Sequence, residues 1–468
     1  MSDPTTDVVV VGGGIAGLAA AHRLAVDAPD RSVTLLEASD RLGGKILTTM
    51  FGSRPVDEAA DAFLARVPWA IDLATELCIA DEMISPSTSS AFVAREGKVR
   101  RLPEGLVLGV PTALEPLSRS GLISLPGIAR AGLDLVRPDD WPGGDESVGA
   151  LITRRMGSEI NDWLVNPLIG SINAGDTNRL SLETTAPQLA SAARRSASLI
   201  RGLRAQREES SVDPDAPIFY SFPAGMGRLV DELKARLDAA TNVDVRHRVA
   251  VGMLEAGELG PIVVPVSGDP ISARAAVLAT PSHITADLVR SSSEVSADLA
   301  AQTAYVSVAM VTMAVRRSDV DHALDGSGLL VPRPEGRIMT ACSFASSKWP
   351  HWAGDSDRAV FRASAGRHGD ESALDLDDDD LVEVLARELG ELIGLSGDLL
   401  EWRVSRWPRS FPQYAPGHGA RIDLLERELR RDLPGVELAG AGYRGLGVPA
   451  CVRQGEEAAG RVLSRLGS

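Results

Sequence analysis

The sequence predicts an α/β fold, on three observations. Asp7 to Val11 is a short, nearly all-apolar run, suited to a strand buried on both faces. It flows directly into Gly12-Gly13-Gly14-Ile15-Ala16-Gly17, after which Leu18 to Ala25, rich in Ala and Leu, reads as helix. A second β-rich run, Val33 to Leu36, ends in Glu37, twenty positions past Gly17. Strand, glycine turn, helix, strand and terminal acid are the parts of a Rossmann-like dinucleotide-binding unit. Gly12 is expected to make the tight turn, Gly14 to admit a pyrophosphate, and Gly17 to let helix and strand pack closely. Glu37 is expected to accept from a ribose hydroxyl. A glycine turn by itself is weak support, and the flanking strand, helix and acid strengthen it.

Composition sets the bounds. The 468 residues exceed one ordinary core, so two or three lobes are expected. Hydrophobic content of 44% and charged content of 24% fit a globular enzyme. A formal charge of −16 argues against nucleic acid as a partner. Cys78, Cys342 and Cys451 are far apart with no CxxC spacing, so no disulfide framework or zinc site is expected, and a cytoplasmic setting fits. No signal peptide or spanning apolar run is read.

Further along, Ile46 to Phe51 and Arg54 to Asp57 read as paired strands about Gly52-Ser53, and Pro68 to Leu77 as helix. Phe92 to Val99 reads as a hairpin turning at Glu96-Gly97. Pro103, Pro111, Pro116, Pro126, Pro138 and Pro142 exclude long helices between them. Helix returns from Ser147 to Trp163 and is expected to end at Asn166-Pro167, before a small-residue loop. Ser191 to Arg207 holds five arginines and no acid. That face could meet an anionic membrane, although a solvated helix surface is the commoner outcome. Glu208 to Pro217 reads as a linker or loop. Helix Val230 to Ala239 and strands Val243 to Val249, Ala275 to Thr280, Tyr305 to Val315, Gly328 to Val331 and Ile338 to Phe344 follow. Asp375 and Asp377 to Asp380 precede helix Leu381 to Leu392, where acids suit the helix dipole and need no metal. Near the end, Gly435 to Pro449 and helix Ala450 to Leu463 repeat the order of strand, glycine loop and helix.

Several stretches resemble one family. Glu37-Ala38-Ser39-Asp40-Arg41-Leu42-Gly43-Gly44-Lys45 is similar to the first FAD-binding segment of the amine oxidase/phytoene desaturase superfamily, so FAD is the expected cofactor. Pro167 to Asp176, with Leu180-Ser181, resembles the P-x-x-x-G-x-x-A-G-D…L-S signature of the oxygen-dependent porphyrinogen oxidases within that superfamily. Phe222 to Leu229, Ala279-Thr280-Pro281, Arg406-Trp407-Pro408 and Pro412 to His418 match the family in the same order.

The resemblance implies an FAD domain assembled from residues 1–76, 211–282 and 411–468, an inserted helical lobe over 77–210, and a mixed-sheet substrate domain over 283–410. It carries Gly12, Gly13, Gly14, Ile15, Ala16, Gly17, Glu37, Ala38, Arg41, Gly43, Gly44 and Lys45 over as cofactor contacts. Ala60, Asp61, Ala62 and Phe63 would pass beside the flavin ring, with Ala59 standing where relatives have Gly. Val249 would meet the adenine end. Thr280, Trp407, Gly442, Gly447, Val448 and Pro449 would complete the site. Arg66, Asn173, Gly175, Ser327 and Leu330 are the implied substrate contacts, with Ser327 replacing an aromatic residue of relatives. No catalytic base and no metal ligand is assigned. The implied activity is oxidation of coproporphyrinogen III by FAD and oxygen in haem biosynthesis, with hand-off to a ferrochelatase. Protoporphyrinogen IX is the alternative substrate. A flavin amine oxidase or carotenoid desaturase is the more distant reading.

Overall fold

The computed structural model describes residues 6–137, 143–209, 216–354 and 357–467. The strand Thr6–Val11 lies at the centre of a sheet whose parallel part runs Val243–Arg246, Val33–Leu36, Thr6–Val11, Ile271–Leu278, Val436–Leu438. Alternation decides its packing, because successive side chains of a strand face opposite sides. Val8 and Val10 enter the core under helices Ile15–Asp27 and Val448–Leu466, while Val9 and Val11 enter a second core formed with helix His418–Asp432. Both faces are covered, which explains the unbroken apolar run. Two antiparallel strands, Pro261–Pro265 and Val251–Ala256, extend the sheet beside Ile271–Leu278.

A second seven-stranded sheet runs Glu401–Gln413, Ala304–Arg316, Arg358–Ala365, Met339–Phe344, Gly328–Leu330, Phe92–Arg95, Lys98–Arg101. Its pairs are antiparallel except Gly328–Leu330 with Phe92–Arg95. Helix Asp378–Ile393 covers one face, with Asp377 capping it by accepting from the Asp380 N–H at 2.9 Å. The helical lobe has its own core, built around Val148–Met156, Pro187–Arg195 and Leu199–Glu209.

Strand pairing cuts across two expected boundaries. The Phe92 hairpin, inside the expected 77–210 lobe, completes the second sheet because Leu329 and Leu330 pair with Phe92 and Val93. The strand Glu401–Gln413 runs past residue 410, held in register by the long strand beside it. The expected helix Ser147 to Trp163 is also interrupted. Val148–Met156 stops at Gly157 (φ +96°), a wide π-turn covers Asn161–Val165, and helix Asn166–Asn173 follows. Asn166-Pro167 therefore opens a helix and does not end one. Proline has no N–H for the preceding turn, and the wide turn absorbs that lost bond while Pro167 sits where a first-turn proline is tolerated. The helix Leu199–Glu209 runs into the expected linker; residues 210–215, like Pro138 and Pro142, lie outside the described residues. No helix among the described residues is long and apolar enough to cross a membrane, and none of their His, Cys, Asp and Glu groups could hold a metal ion.

Candidate active site

The glycine turn is shaped by what surrounds it. Gly12 adopts φ +104°, and a Cβ there would lie 2.9 Å from the Ala279 carbonyl oxygen. At Gly17 a Cβ would fall 1.8 Å from the Gly12 carbonyl oxygen, so the helix can approach the turn only without a side chain. Gly14 differs, since a Cβ there would meet nothing within 4 Å. That open side lies at the start of the helix Ile15–Asp27, whose buried Ile15 and Ala16 anchor its first turn and leave its N–H groups for an anion. Gly43 donates from its N–H to the Gly13 carbonyl at 2.8 Å, which brings Gly43-Gly44 against the turn.

Glu37 is fixed by two backbone N–H donors, Gly13 at 2.7 Å to Oε2 and Ser39 at 2.8 Å to Oε1. Each carboxylate oxygen keeps acceptor capacity, and the side chain is half-buried, as a ribose acceptor requires. The Val249 N–H donates to the Glu37 carbonyl at 2.9 Å, so Val249 stands at the same end of the cradle as Glu37 and the exposed Ala38. Arg41 turns back on its own loop, donating to the carbonyls of Leu42, Gly44 and Ile46. It acts as a clamp on the Gly43-Gly44 bend. Lys45 reaches across to the Ser410 carbonyl, and burial of its ammonium lowers its pKa. On the far side, Gly447 caps the helix Val448–Leu466 with Pro449 in its first turn. Thr280 shares a hydroxyl contact of 2.7 Å with Thr285, and a Cβ on Gly442 would lie 2.7 Å from the Tyr305 hydroxyl. Two helix starts, a side facing open space and a held acid suit a dinucleotide.

Glu58 to Ala62 is an irregular loop leading into the strand Phe63–Leu64, although its alanines favour helix. Its carbonyls are captured from the second sheet, Glu58 by the Trp407 indole N–H at 3.3 Å and Ala59 by Arg362. The Asp61 carboxylate holds Lys348 Nζ at 2.9 Å and Trp349 Nε1 at 3.1 Å, with Arg362 at 3.5 Å. Burial would raise its pKa, but the Lys348 and Arg362 cations outweigh burial and hold it well below the usual carboxylate range. Asp61 is thus an anchor for the loop, and Phe63 at its end is buried. Neighbouring Asp57, fully buried, is pushed up to about 7 by desolvation, against opposing help from Thr48, Arg362 and the Met226 N–H; its Oδ2 has no partner.

A cleft separates the helical lobe from the second sheet. Asn166, Pro167, Gly170, Ser171, Ala174 and Gly175 form one wall. Val308, Met310, Thr340, Ser364, Gly366 and Phe411 contribute from the sheet, with Val331, Arg333 and Arg367 from its connections. Trp407 packs with Ala174, Val308 and Phe411, so the residue gripping the Glu58 carbonyl also touches the cleft wall. Among the residues lining this cleft there is no acid and no histidine.

Of the five expected substrate contacts, Gly175 lines the cleft. Asn173 is buried and turns its amide back to the Ile169 carbonyl, one turn earlier in its own helix, at 2.8 Å. Ser327 donates to the Ser90 carbonyl at 2.9 Å, and Leu330 packs toward the helical lobe; neither lines this cleft. Arg66 is exposed beyond the short strand Phe63–Leu64. Sequence reasoning missed Arg333 and Arg367, which follow their strands with no motif to mark them.

Comparison with known proteins agrees with this geometry. A family model described as flavin-containing amine oxidoreductase matches residues 15–463. The chain belongs to that family. Its cofactor is FAD, and the cradle above fits it. A coproporphyrinogen III oxidase of Bacillus subtilis (strain 168) is 32% identical, over 100% of both chains. Protoporphyrinogen oxidase 1 of Arabidopsis thaliana, a chloroplastic protein, is 27% identical over 97% of this chain and 87% of its own. A crystal structure from Exiguobacterium sp. 255-15, provisionally named a protoporphyrinogen oxidase, superposes with a TM-score of 0.87 at 27% identity, covering 99% of this chain and 100% of that one.

Proposed function

We propose that this flavoprotein oxidises coproporphyrinogen III to coproporphyrin III, with oxygen as the final acceptor and hydrogen peroxide as by-product, in haem biosynthesis. The observation that carries the reading is the place of the Pro167 to Gly175 signature, as one wall of a cleft that adjoins the flavin loop through Trp407. Bound FAD supplies the two-electron acceptance that stepwise removal of six electrons requires. The cradle of Gly12, Gly14, Gly17 and Glu37 holds its dinucleotide end. The loop Glu58 to Phe63, pinned by Arg362, Lys348 and Trp407, presents its backbone to the ring system. The cleft walls, of small and apolar residues, orient the macrocycle and exclude water. Its charged groups are positive only, which suits a substrate rich in carboxylates and repels an amine cation.

Protoporphyrinogen IX is the second reading, favoured by the names of the plant and Exiguobacterium relatives. It has vinyl groups where coproporphyrinogen has two of its four propionates. A site that pairs carboxylates loses more on their removal than an apolar slot gains from a vinyl. We expect kcat/KM to favour coproporphyrinogen III by at least about tenfold, roughly 1.4 kcal/mol of transition-state binding. Anaerobic mixing of the holoprotein with each porphyrinogen, followed by loss of flavin absorbance, tests the reading. Bleaching by neither overturns it, and faster bleaching by protoporphyrinogen moves the assignment to the second substrate.

A further inference from the structure

We infer that Arg333 and Arg367 form a carboxylate-binding pair on the sheet side of the cleft, which grips propionate groups of the macrocycle. This rests on the proposed porphyrinogen substrate and names the groups that recognise it.

The two residues are held in place by different connections of the second sheet. Arg333 opens the short turn Arg333–Glu335 after strand Gly328–Leu330, and Arg367 follows strand Arg358–Ala365. Both line the cleft together with Gly175. Arg333 is steadied by one nitrogen, Nη2, which donates to the Gly175 carbonyl at 3.2 Å and the His368 carbonyl at 2.8 Å. Among the described residues it forms no ion pair, and its Nε and Nη1 make no hydrogen bond. Arg367 is 9% exposed. Its Nη2 donates to the Arg337 carbonyl at 3.2 Å and lies 3.7 Å from Asp370, while its buried Nε has no partner.

A guanidinium has five N–H donors, and leaving a buried one unpaired costs free energy. Burial, and then the Arg333 guanidinium, lower the affinity of Arg367 for its proton. Asp370 answers part of this charge, and a ligand carboxylate would answer the rest. A carboxylate fits through single charge-assisted bonds to the nitrogens these contacts leave over, Nε and Nη1 of Arg333 and Nη1 of Arg367. A flexible propionate can reach either residue while the ring stays between the Ala174-Gly175 wall and Phe411. The backbone anchors at Nη2 fix both side chains before the ligand arrives, which reduces the ordering cost of binding.

The test uses flavin-loaded protein and coproporphyrin III as a non-reacting probe, with its tetramethyl ester as the uncharged control, both followed by porphyrin fluorescence. The unmodified protein should bind the free acid at least about tenfold more tightly than the ester. Arg333→Gln and Arg367→Gln should each erase most of that difference by weakening acid binding, leaving ester binding and flavin content unchanged. Arg333→Lys and Arg367→Lys keep the charge on a single nitrogen and should fall between; they carry the test if a Gln variant loses its flavin. Acid and ester bound alike by the unmodified protein, or discrimination unchanged in the variants, overturns the arginine pair. If the porphyrinogen bleaches the flavin normally in that case, the function stands and only the pair falls. If porphyrinogen leaves the flavin oxidised, the function falls and the pair falls with it.

Discussion

The dinucleotide cradle and the substrate cleft are built on opposite plans. The cradle comes mainly from one continuous stretch, Asp7 to Lys45, and works through backbone: glycines where no Cβ fits, helix starts, and one acid held by two N–H groups. The cleft draws its walls from six separate places along the chain, near residues 170, 309, 332, 340, 366 and 411, and works through side chains. Backbone devices tolerate few residue types and therefore leave a mark in the sequence. A side chain carried to a cleft by sheet register leaves none, because its neighbours in space are hundreds of positions away.

Within the cradle the glycines are not equivalent, and the largest expected effect separates them. Gly17→Ala places a Cβ 1.8 Å from the Gly12 carbonyl oxygen, which forces the helix off the sheet. We expect little soluble protein, or a loss of stability on the order of 3 kcal/mol or more, by the overpacking mechanism. Gly14→Ala, pointing into open space, should leave apoprotein stability within about 0.5 kcal/mol. Gly14→Asp should keep the apo fold and lose FAD affinity by at least about a hundredfold, from charge and bulk against the diphosphate. Thermal melts of the apoproteins and FAD titrations measure both. Equal melts for Gly17→Ala and Gly14→Ala would remove the distinction.

The seam between the two regions is the loop Glu58 to Phe63, and its anchor gives the next effect. Asp61→Asn leaves Lys348 and Arg362 facing each other with no anion between them. Breaking a buried pair in this way costs about 3–5 kcal/mol. If the loop lies beside the flavin as proposed, the variant should also bind FAD more weakly. Chemical denaturation with a flavin-release readout checks both parts. A stable variant with loosened flavin would mean that the loop, and not the fold, depends on the anchor.

How far the fold was legible follows the same division. The strand Thr6–Val11, its helix and the strand Val33–Leu36 could be read because an apolar run, glycines and an acid each have one structural use there. The Phe92 hairpin was recognised as a hairpin but its sheet was not, since pairing of Phe92 with Leu329 spans more than two hundred residues. Glu58 to Phe63 shows the limit most clearly. Its alanines suggest helix, and the carbonyl capture by Trp407 and Arg362 that holds it as a loop comes from strands far along the chain. In the site, Glu37 was legible, whereas Arg333 and Arg367 were not, and Asn173 was named for a motif position whose side chain serves the helix end.

A smaller, pH-dependent effect tests whether the seam is under protonation control. Asp57 has a folded pKa of about 7, raised by burial from 3.8. The folded state therefore holds a proton that the unfolded state has released between these values. Its contribution to stability is fully present below the unfolded pKa and is lost as pH rises toward the folded pKa, by on the order of a few kcal/mol. Asp57→Asn should flatten that part of the stability curve between pH 4 and 7, measured by denaturant midpoints of the apoprotein. A wild-type minus variant difference that does not change over this window would show that Asp57 is ionised and paired despite its burial.

The smallest expected effect concerns Arg66, and it sharpens the contrast between a charge placed by motif and a charge placed by register. The resemblance makes Arg66 a substrate contact, and its neighbours Phe63 and Ala62 belong to the flavin loop. Yet the side chain is exposed, beyond a strand that pairs with Phe219–Tyr220 at the surface, and it is not among the residues lining the cleft. An exposed cation near a site acts through water and is screened over a Debye length of about 8 Å at physiological salt. It can speed the approach of an anionic macrocycle without adding to its bound-state grip. Arg66→Ala should therefore change kcat/KM on coproporphyrinogen III by less than about twofold, with whatever change there is vanishing as salt is raised. The cleft arginines should behave oppositely, with losses that persist at high salt because burial shields them from counterions. Steady-state kinetics on the tetracarboxylate at low and high ionic strength compares the two directly. A salt-resistant loss of tenfold or more at Arg66 would mean that the macrocycle extends out of the cleft to this surface, and the boundary between flavin loop and substrate site would have to be redrawn there.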